Sequence, residues 1–350
     1  MPERTEIASL GEFGFIRRLT QTFSNKNSST IKGVGDDAAV LSYDGKQTLV
    51  TTDLLLEGIH FDLIYTPLKH LGYKAAVVNF SDIYAMNGTP KQLTVSLGIS
   101  KRFSVEDIDT LYEGLHLACE QYGVDLVGGD TSASVTGLLL SLTCIGEAEK
   151  ESVVYRNMAK ENDLICVSGD LGAAYMGLQL LEREKVVFAG NPEMQPDFSG
   201  KDYLLERQLK PEARKDIIEL LREKQIIPTS MIDISDGLSS ELLHLCTQSH
   251  TGCRIYEDRI PIDYQTAVMA EEFNMNLVTA ALNGGEDYEL LFTMPMSMHE
   301  VIDSLEGVTL IGYMTRAELG CRLITRDEQE FDLKAQGWSM EKAINELKNQ

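Results

Sequence analysis

Carboxylates recur in this chain beside glycine or hydroxyl residues and at the ends of apolar runs. Asp36 and Asp37 follow Gly33-Val34-Gly35, Asp53 follows Thr51-Thr52, and Asp82 ends Asn79-Phe80-Ser81. Asp130 follows Gly128-Gly129, Asp233 and Asp236 stand in Ile232-Asp233-Ile234-Ser235-Asp236-Gly237, and Glu286-Asp287 follow Gly284-Gly285. Neighbouring carboxylates repel, and in a half-buried setting a proton, a basic partner or a bound cation relieves the repulsion. The stretch 33–40 is therefore expected to form the floor of a metal-phosphate site. A surface turn is the plain alternative, since Asp and Gly are ordinary turn residues. A dinucleotide-binding turn is the more specific one, because Gly33-x-Gly35-x-x-Ala38 fits and Glu57 lies about twenty residues on. Two carboxylates would then face the pyrophosphate directly, and no clear helical stripe follows, so cation-mediated phosphate binding is favoured.

The chain has no G-x-x-x-x-G-K-[ST] loop and no kinase H-R-D or D-F-G set. Hard oxygen ligands at separated positions suit Mg²⁺, which holds carboxylates on one side and phosphate oxygens and waters on the other. Convergence of several such acids implies more than one ion. Phosphoryl transfer by positioning and charge compensation is the leading reaction class, and two-metal phosphate hydrolysis is its chemical rival.

The elements that must carry these acids can be read from periodicity. Gln47-Thr48-Leu49-Val50-Thr51-Thr52 is a strand ending at Asp53, and 54–61 continues as loop or strand. A helix from Leu71 has the inward stripe Leu71, Ala75, Val78, Asp82 and Ala85. Asp82 thus falls on an apolar face, where it must be hydrogen-bonded in the core or aimed at a metal near Asp37 and Asp53. Strands follow at 92–98 and 124–127, the latter ending before Gly128-Gly129-Asp130-Thr131, with a helix over 105–122 capped by Ser104 between them. The apolar strand 137–146 is too long for a solvated edge and is expected at the centre of a sheet or in a subunit contact. Further strands are expected at 163–168, 231–235, 288–293 and 308–313. In the third of these elements from the end, alternation puts Asp233 and Ser235 on one side, and Asp236 is a candidate cap for a helix with the stripe Leu238, Leu242, Leu245 and Cys246. A short helix at 7–20, a helix opening at Lys210-Pro211 and a surface excursion over 187–201 complete the pattern. Helices and strands mix without strict βαβ repetition, which makes the fold class α+β.

At 350 residues with 43% hydrophobic content the chain has material for two compact cores, divided near the charged run 147–150 into 1–150 and 151–350. Its 54 acids against 31 bases, a formal charge of −23, disfavour bare nucleic acid and anionic membrane as partners. Six scattered cysteines with no C-x-x-C pair fit a reducing cytoplasm, and no apolar run approaches a membrane span.

Taken together and in order, the glycine-aspartate stretches at 33–37, 51–53, 79–82, 128–131, 232–237 and 283–290 resemble the thiamine-monophosphate kinase family over nearly the whole chain. That family belongs to the aminoimidazole-ribotide synthetase superfamily. The resemblance implies two α/β domains, with the N-terminal sheet pairing in a homodimer and the active site between the halves. It implies Mg²⁺ ions held by Asp37, Thr51, Thr52, Asp53, Asp82, Asp130, Asp233 and Asp236, with Asp36 in support. Gly129, Asp130, Arg156 and Ser235 would contact ATP, and His60, Glu286 and Trp338 would face thiamine monophosphate. Trp338 stacking on a cationic thiazolium is a reasonable use of an aromatic face, with a core or surface tryptophan as the alternative. The implied reaction gives ADP and thiamine diphosphate by direct in-line attack, without a protein nucleophile. A selenophosphate or aminoimidazole-ribotide synthetase would share the metal-ATP half, but residues 1–35 contain no Cys of the kind selenophosphate synthetases usually carry. A non-catalytic nucleotide-binding protein is the alternative from another class.

Overall fold

The computed structural model describes residues 30–32, 36–43, 45–190 and 196–335. Gly33, Val34, Gly35, Trp338 and the helix expected at 7–20 lie outside the described residues. Six strands form the first sheet: β1 (Thr30–Lys32), β2 (Ala39–Tyr43), β3 (Lys46–Leu56), β4 (Thr89–Ile99), β5 (Asp125–Ala133) and β6 (Leu139–Glu149). Their order is β1-β2-β3-β6-β4-β5, antiparallel except for the β4–β5 pair. The apolar strand β6 is central, pairing along its length with β3 on one side and β4 on the other.

Period-two alternation gives this sheet two unlike faces. Leu49, Thr51 and Leu55 of β3, Leu93, Val95 and Leu97 of β4, and Leu140, Leu142 and Cys144 of β6 are buried on one face. Helices α1 (Leu68–Ala85) and α2 (Val105–Tyr122) belong to that core. Ser104 and Asp107 form a capping box that starts α2, satisfying two backbone donors reciprocally. The other face carries Thr52, Leu54, Ser141, Thr143, Thr94 and Ser96, and no described element packs across it in this chain.

Seven strands form the second sheet: β7 (Leu164–Ser168), β8 (Ser230–Asp233), β9 (Thr251–Tyr256), β10 (Leu290–Met294), β11 (Val308–Arg316), β12 (Cys321–Ile324) and β13 (Glu330–Asp332). They run β13-β12-β9-β11-β7-β10-β8, with only β9–β12 parallel. Around them stand α3 (Ala173–Gly190), α4 (Asp202–Leu209), α5 (Lys215–Glu223), α6 (Leu238–Ser249), α7 (Tyr264–Glu272), α8 (Leu277–Asn283) and α9 (His299–Ile302). Cys166, Met231, Leu290 and Phe292 join the core built on α1, whereas Ile165, Ile232, Leu291 and Ile311 join a separate core under α6. The second sheet is thus covered on both faces, and α1 packs on the first sheet while reaching β8 of the second.

Several boundaries differ from expectation. β3 and β5 do not stop at Asp53 and Gly128 but run on to Leu56 and Ala133, because their ladders with β6 and β4 continue to supply hydrogen-bond partners. The first-sheet helix begins at Leu68, one turn early, behind Pro67. Pro211 opens no helix: Lys210 ends α4, and α5 starts at Lys215. Helix α3 extends to Gly190, so the start of the 187–201 segment is helical.

Candidate active site

Four acids approach one another where α1 bridges the sheets. Asp37 lies on the bend before β2, Asp53 on the inner face of β3, Asp82 on the stripe of α1 that faces β3, and Asp233 at the last residue of β8. Carboxylate oxygens of Asp37, Asp82 and Asp233 all fall within 4.8 Å of one another. Against them the protein sets few donors. Thr51 Oγ1 donates to Asp82 Oδ2, and Ser81 Oγ donates to Asp233 Oδ2 at 2.6 Å. The Arg156 guanidinium grips Asp37 with two nitrogens, Nε lying 2.8 Å from Oδ2, and approaches Asp36 Oδ1 at 3.3 Å. Asp53 Oδ2 is buried with no hydrogen-bond partner among the described residues.

Electrostatics follow from that shortage. Burial pushes Asp53 up to about 6, and burial with the neighbouring Asp37 charge brings Asp36 up to about 6 as well. Asp82 is raised by burial and by Asp53, Asp233 and Asp37, and Asp233 by burial and Asp37. An all-oxygen, donor-poor cluster with an orphaned carboxylate oxygen fits a hard divalent cation.

The linkage has a defined sign. Asp36 and Asp53 bind protons more tightly in the folded metal-free chain than in the unfolded one, so their contribution to stability is full below their ordinary value of 3.8 and is lost as pH rises through about 6. A divalent cation held by these acids would replace those protons at higher pH. The increase in melting temperature on adding Mg²⁺ to EDTA-treated protein is therefore expected to be larger at pH of about 7.5 than at about 5; equal increments would show that the acids do not hold the ion.

Two loops close the site from the second sheet. The loop 235–237 and the loop 284–288 meet backbone to backbone: Glu286 N–H donates to Ser235 O at 2.7 Å and Tyr288 N–H to Ile234 O at 2.9 Å. A Cβ on Gly285, whose φ is +73°, would stand 2.5 Å from Ser235 O, so the approach requires glycine. Glu286 adopts φ +58° and presents its carboxylate to Lys74 Nζ at 3.0 Å and Gln208 Nε2 at 2.8 Å. His60, on the turn after β3, accepts from Leu56 N–H through Nδ1 at 3.0 Å, which leaves its proton on Nε2. Burial holds His60 below its ordinary value although Glu286 is near.

Sequence reasoning missed Lys74 and Glu241. Lys74 is buried on α1 beside the substrate candidates, where its four-carbon stem reads as part of an apolar stripe. Glu241, inside α6, accepts from the backbone N–H groups of Ser235 at 3.2 Å and Asp236 at 2.8 Å. Asp236 is therefore not the helix cap: Gly237 occupies that position without a side-chain bond, and Glu241 reaches back past it to the loop backbone. Burial and Glu286 raise Asp236. β8 ends at the buried Asp233, so the alternation expected to put Ser235 on the same side does not extend to Ser235, which is exposed in the loop beyond the strand.

Thr52, Gly129 and Asp130 are not brought to this cluster within the chain. Thr52 points to the uncovered face, its Oγ1 donating to Leu142 O at 2.8 Å. Asp130 is exposed on edge strand β5 and shares a ladder row with Ser96, Ser141 and Leu54. That row is one residue off the row of Asp53 and on the opposite face, and three strand spacings separate β5 from β3, about 14 Å.

Residues 35–148 match the family model described as AIR synthase related protein, N-terminal domain. The chain is 33% identical to a thiamine-monophosphate kinase of Bacillus subtilis (strain 168) over 94% of its own length and 99% of that protein. It is 36% identical to a thiamine-monophosphate kinase of Aquifex aeolicus (strain VF5), over 87% of this chain and 96% of that one. Among solved structures, AaThiL complexed with AMPPCP and TMP superposes with a TM-score of 0.83 at 32% identity, covering 96% of this chain and 99% of that one.

Proposed function

The chain belongs to the thiamine-monophosphate kinase family, and from that premise we propose that it transfers the γ-phosphoryl group of ATP to thiamine monophosphate, releasing ADP and thiamine diphosphate. The observation that carries this reading is the convergence of Asp37, Asp82 and Asp233, with the unpartnered Asp53 oxygen beside them, on the face where both sheets meet. Asp37, Thr51, Asp53, Asp82 and Asp233 would hold Mg²⁺ ions, with Asp236 at their edge. When bound, such ions supply the positive charge that lets two phosphate groups approach for in-line transfer.

The chain's own residues hold and orient. The acceptor phosphate is already ionised near neutral pH, so no general base or covalent nucleophile is called for. Arg156, whose Nε and Nη2 are taken up by Asp37 and Asp36, would turn its remaining nitrogen, Nη1, to a triphosphate oxygen. Ser235 presents an exposed hydroxyl on a loop whose backbone Glu241 fixes. His60 Nε2–H is a donor for the acceptor phosphate, and Glu286, held by Lys74 and Gln208, offers negative charge to the thiazolium. No helix among the described residues is long and apolar enough to cross a membrane. The cysteines in the described residues are all free, as a reducing cytoplasm keeps them.

ATP and Mg²⁺ given to the purified protein with thiamine monophosphate should yield ADP and thiamine diphosphate in equal amounts, and omission of the acceptor should stop both. ADP without thiamine diphosphate would move the assignment to hydrolysis or to another acceptor.

Asp130 and Gly129 join the site, in this proposal, from a second copy that packs its sheet against the uncovered face. The support is geometric: Thr52, Leu54 and Asp130 lie on or beside that face and away from their own chain's cluster. Mixing inactive Asp53→Asn and Asp130→Asn chains is then expected to restore about one quarter of wild-type activity, since half of the dimers are mixed and each holds one intact site. No recovery after subunit exchange would place both residues in one chain's site.

A further inference from the structure

Three cysteines meet on the far side of the second sheet, outside the acidic site. Cys246 of α6, Cys253 of β9 and Cys321 of β12 bring their sulfurs within 4.8 Å of one another, and none is in a disulfide. The fold makes this meeting. β9 and β12 run parallel with Cys253 and Cys321 as direct partners, so both side chains leave the same face side by side. Helix α6 lies across that face, with Leu242, Leu245 and Cys246 in its buried stripe. Cys119, Cys144 and Cys166 sit apart on α2, β6 and β7.

A single buried thiol is an ordinary small hydrophobe. Three sulfurs delivered to one point by three separate elements are a donor set. Zinc–sulfur bonds of about 2.3 Å place the sulfurs of a tetrahedral site about 3.8 Å apart, within the span found here. Cys246 and Cys253 are buried, whereas Cys321 is partly exposed near the edge strand β13 and gives an ion a way in.

We propose that Cys246, Cys253 and Cys321 bind one soft, thiophilic cation of the Zn²⁺ or Cu⁺ class through three sulfurs, with a fourth position open to an exogenous ligand. Each sulfur gives its proton to solvent as its bond to the ion forms, and no electron is transferred. Sulfur ligands discriminate against Mg²⁺, so this site and the acidic one draw on different ions. Occupancy would clamp α6 to β9 and β12. That helix also carries Glu241, which fixes the backbone of Ser235 and Asp236.

The test is a titration of the full-length, reduced protein with Cd²⁺ as a spectroscopic probe, in excess Mg²⁺ to occupy carboxylates. The expected result is a thiolate-to-metal charge-transfer band that saturates at one equivalent per chain and is displaced by Zn²⁺. Replacing fully buried Cys253 risks the fold, so Cys321→Ser at the rim is the deciding variant. It should lose the one-equivalent band, while Cys119→Ala keeps it. A wild-type chain without the band, or a Cys321→Ser chain with the full band, overturns the proposal.

Discussion

Replacing Asp53 with Asn is expected to lower kcat/KM by about 10²–10³-fold and, in the same protein, to raise the melting temperature measured in EDTA. The two effects have one cause. Asp53 carries a buried oxygen with no partner, and its charge pushes the neighbouring Asp82 upward. A near-isosteric amide removes that repulsion and offers a donor to the cluster, so the metal-free fold gains. The catalytic loss comes from the same neutralisation, because preorganised charge around a transferring phosphoryl group contributes on the scale of the oxyanion-type interactions whose removal costs such factors. Each kcal/mol relieved corresponds to about 2–4 °C in a fold of this kind. Steady-state kinetics at saturating Mg²⁺ and melting curves in EDTA provide the two readings. Retained activity removes Asp53 from the site, and a lowered melt makes it a structural core residue. Asp130→Asn gives the contrast: it should also cost turnover, through the partner's site, but its carboxylate is exposed in its own chain and lacks the orphaned oxygen of Asp53, so no comparable rise in the melt is expected.

The misfit of charge and burial behind both expected effects is also what makes the acids legible in the sequence. A carboxylate at the head or tail of an apolar segment violates local consistency, and the violation is visible without coordinates. Asp82 on the stripe of α1 is the clearest instance, since the spacing that places Leu71, Ala75 and Val78 inward must place it inward too. Facing was harder to read than position. Thr51 and Thr52 are adjacent and equally hydroxylated, yet β3 continues through them and turns them to opposite faces. Gly128-Gly129 reads as the end of a strand, but the β4 ladder carries β5 straight through it, leaving Asp130 on the uncovered side. Partners distant in sequence left no local signal at all. Glu241 satisfies the loop before its own helix, and Lys74 meets Glu286 across more than two hundred residues.

The largest stability effect is expected at Glu289, whose role the sequence did not reveal. In Asn283-Gly284-Gly285-Glu286-Asp287-Tyr288-Glu289 the backbone alternates through positive φ at Gly285, Glu286 and Tyr288, which sends Glu286 toward Lys74 and Asp287 and Glu289 into the second half. Glu289 is 1% exposed and accepts from Ser168 Oγ, from Arg207 Nη1 at 2.9 Å and from Arg214 Nη1. Asp287, pushed up to about 7 by burial, contributes less charge and lies 3.7 Å from Arg207. Glu289→Gln keeps the shape and removes the compensating charge, and breaking a buried pair in this way costs about 3–5 kcal/mol because the remaining cation stays in the interior. The stranded cation is Arg207. Arg214 keeps two hydrogen bonds to Asp216, at 2.9 and 2.8 Å, whereas among the described residues Arg207 retains one hydrogen bond, to the Asp170 carbonyl at 2.9 Å, with the Asp170 carboxylate nearby and the weakened Asp287 at 3.7 Å. Urea unfolding of the single and double variants separates the two cases: Arg207→Met should cost much less in the Glu289→Gln background than in the native chain. Equal costs in both backgrounds would show that Glu289 and Arg207 are not coupled, and a Glu289→Gln midpoint unchanged from the native one would show that this buried carboxylate does not hold the loop.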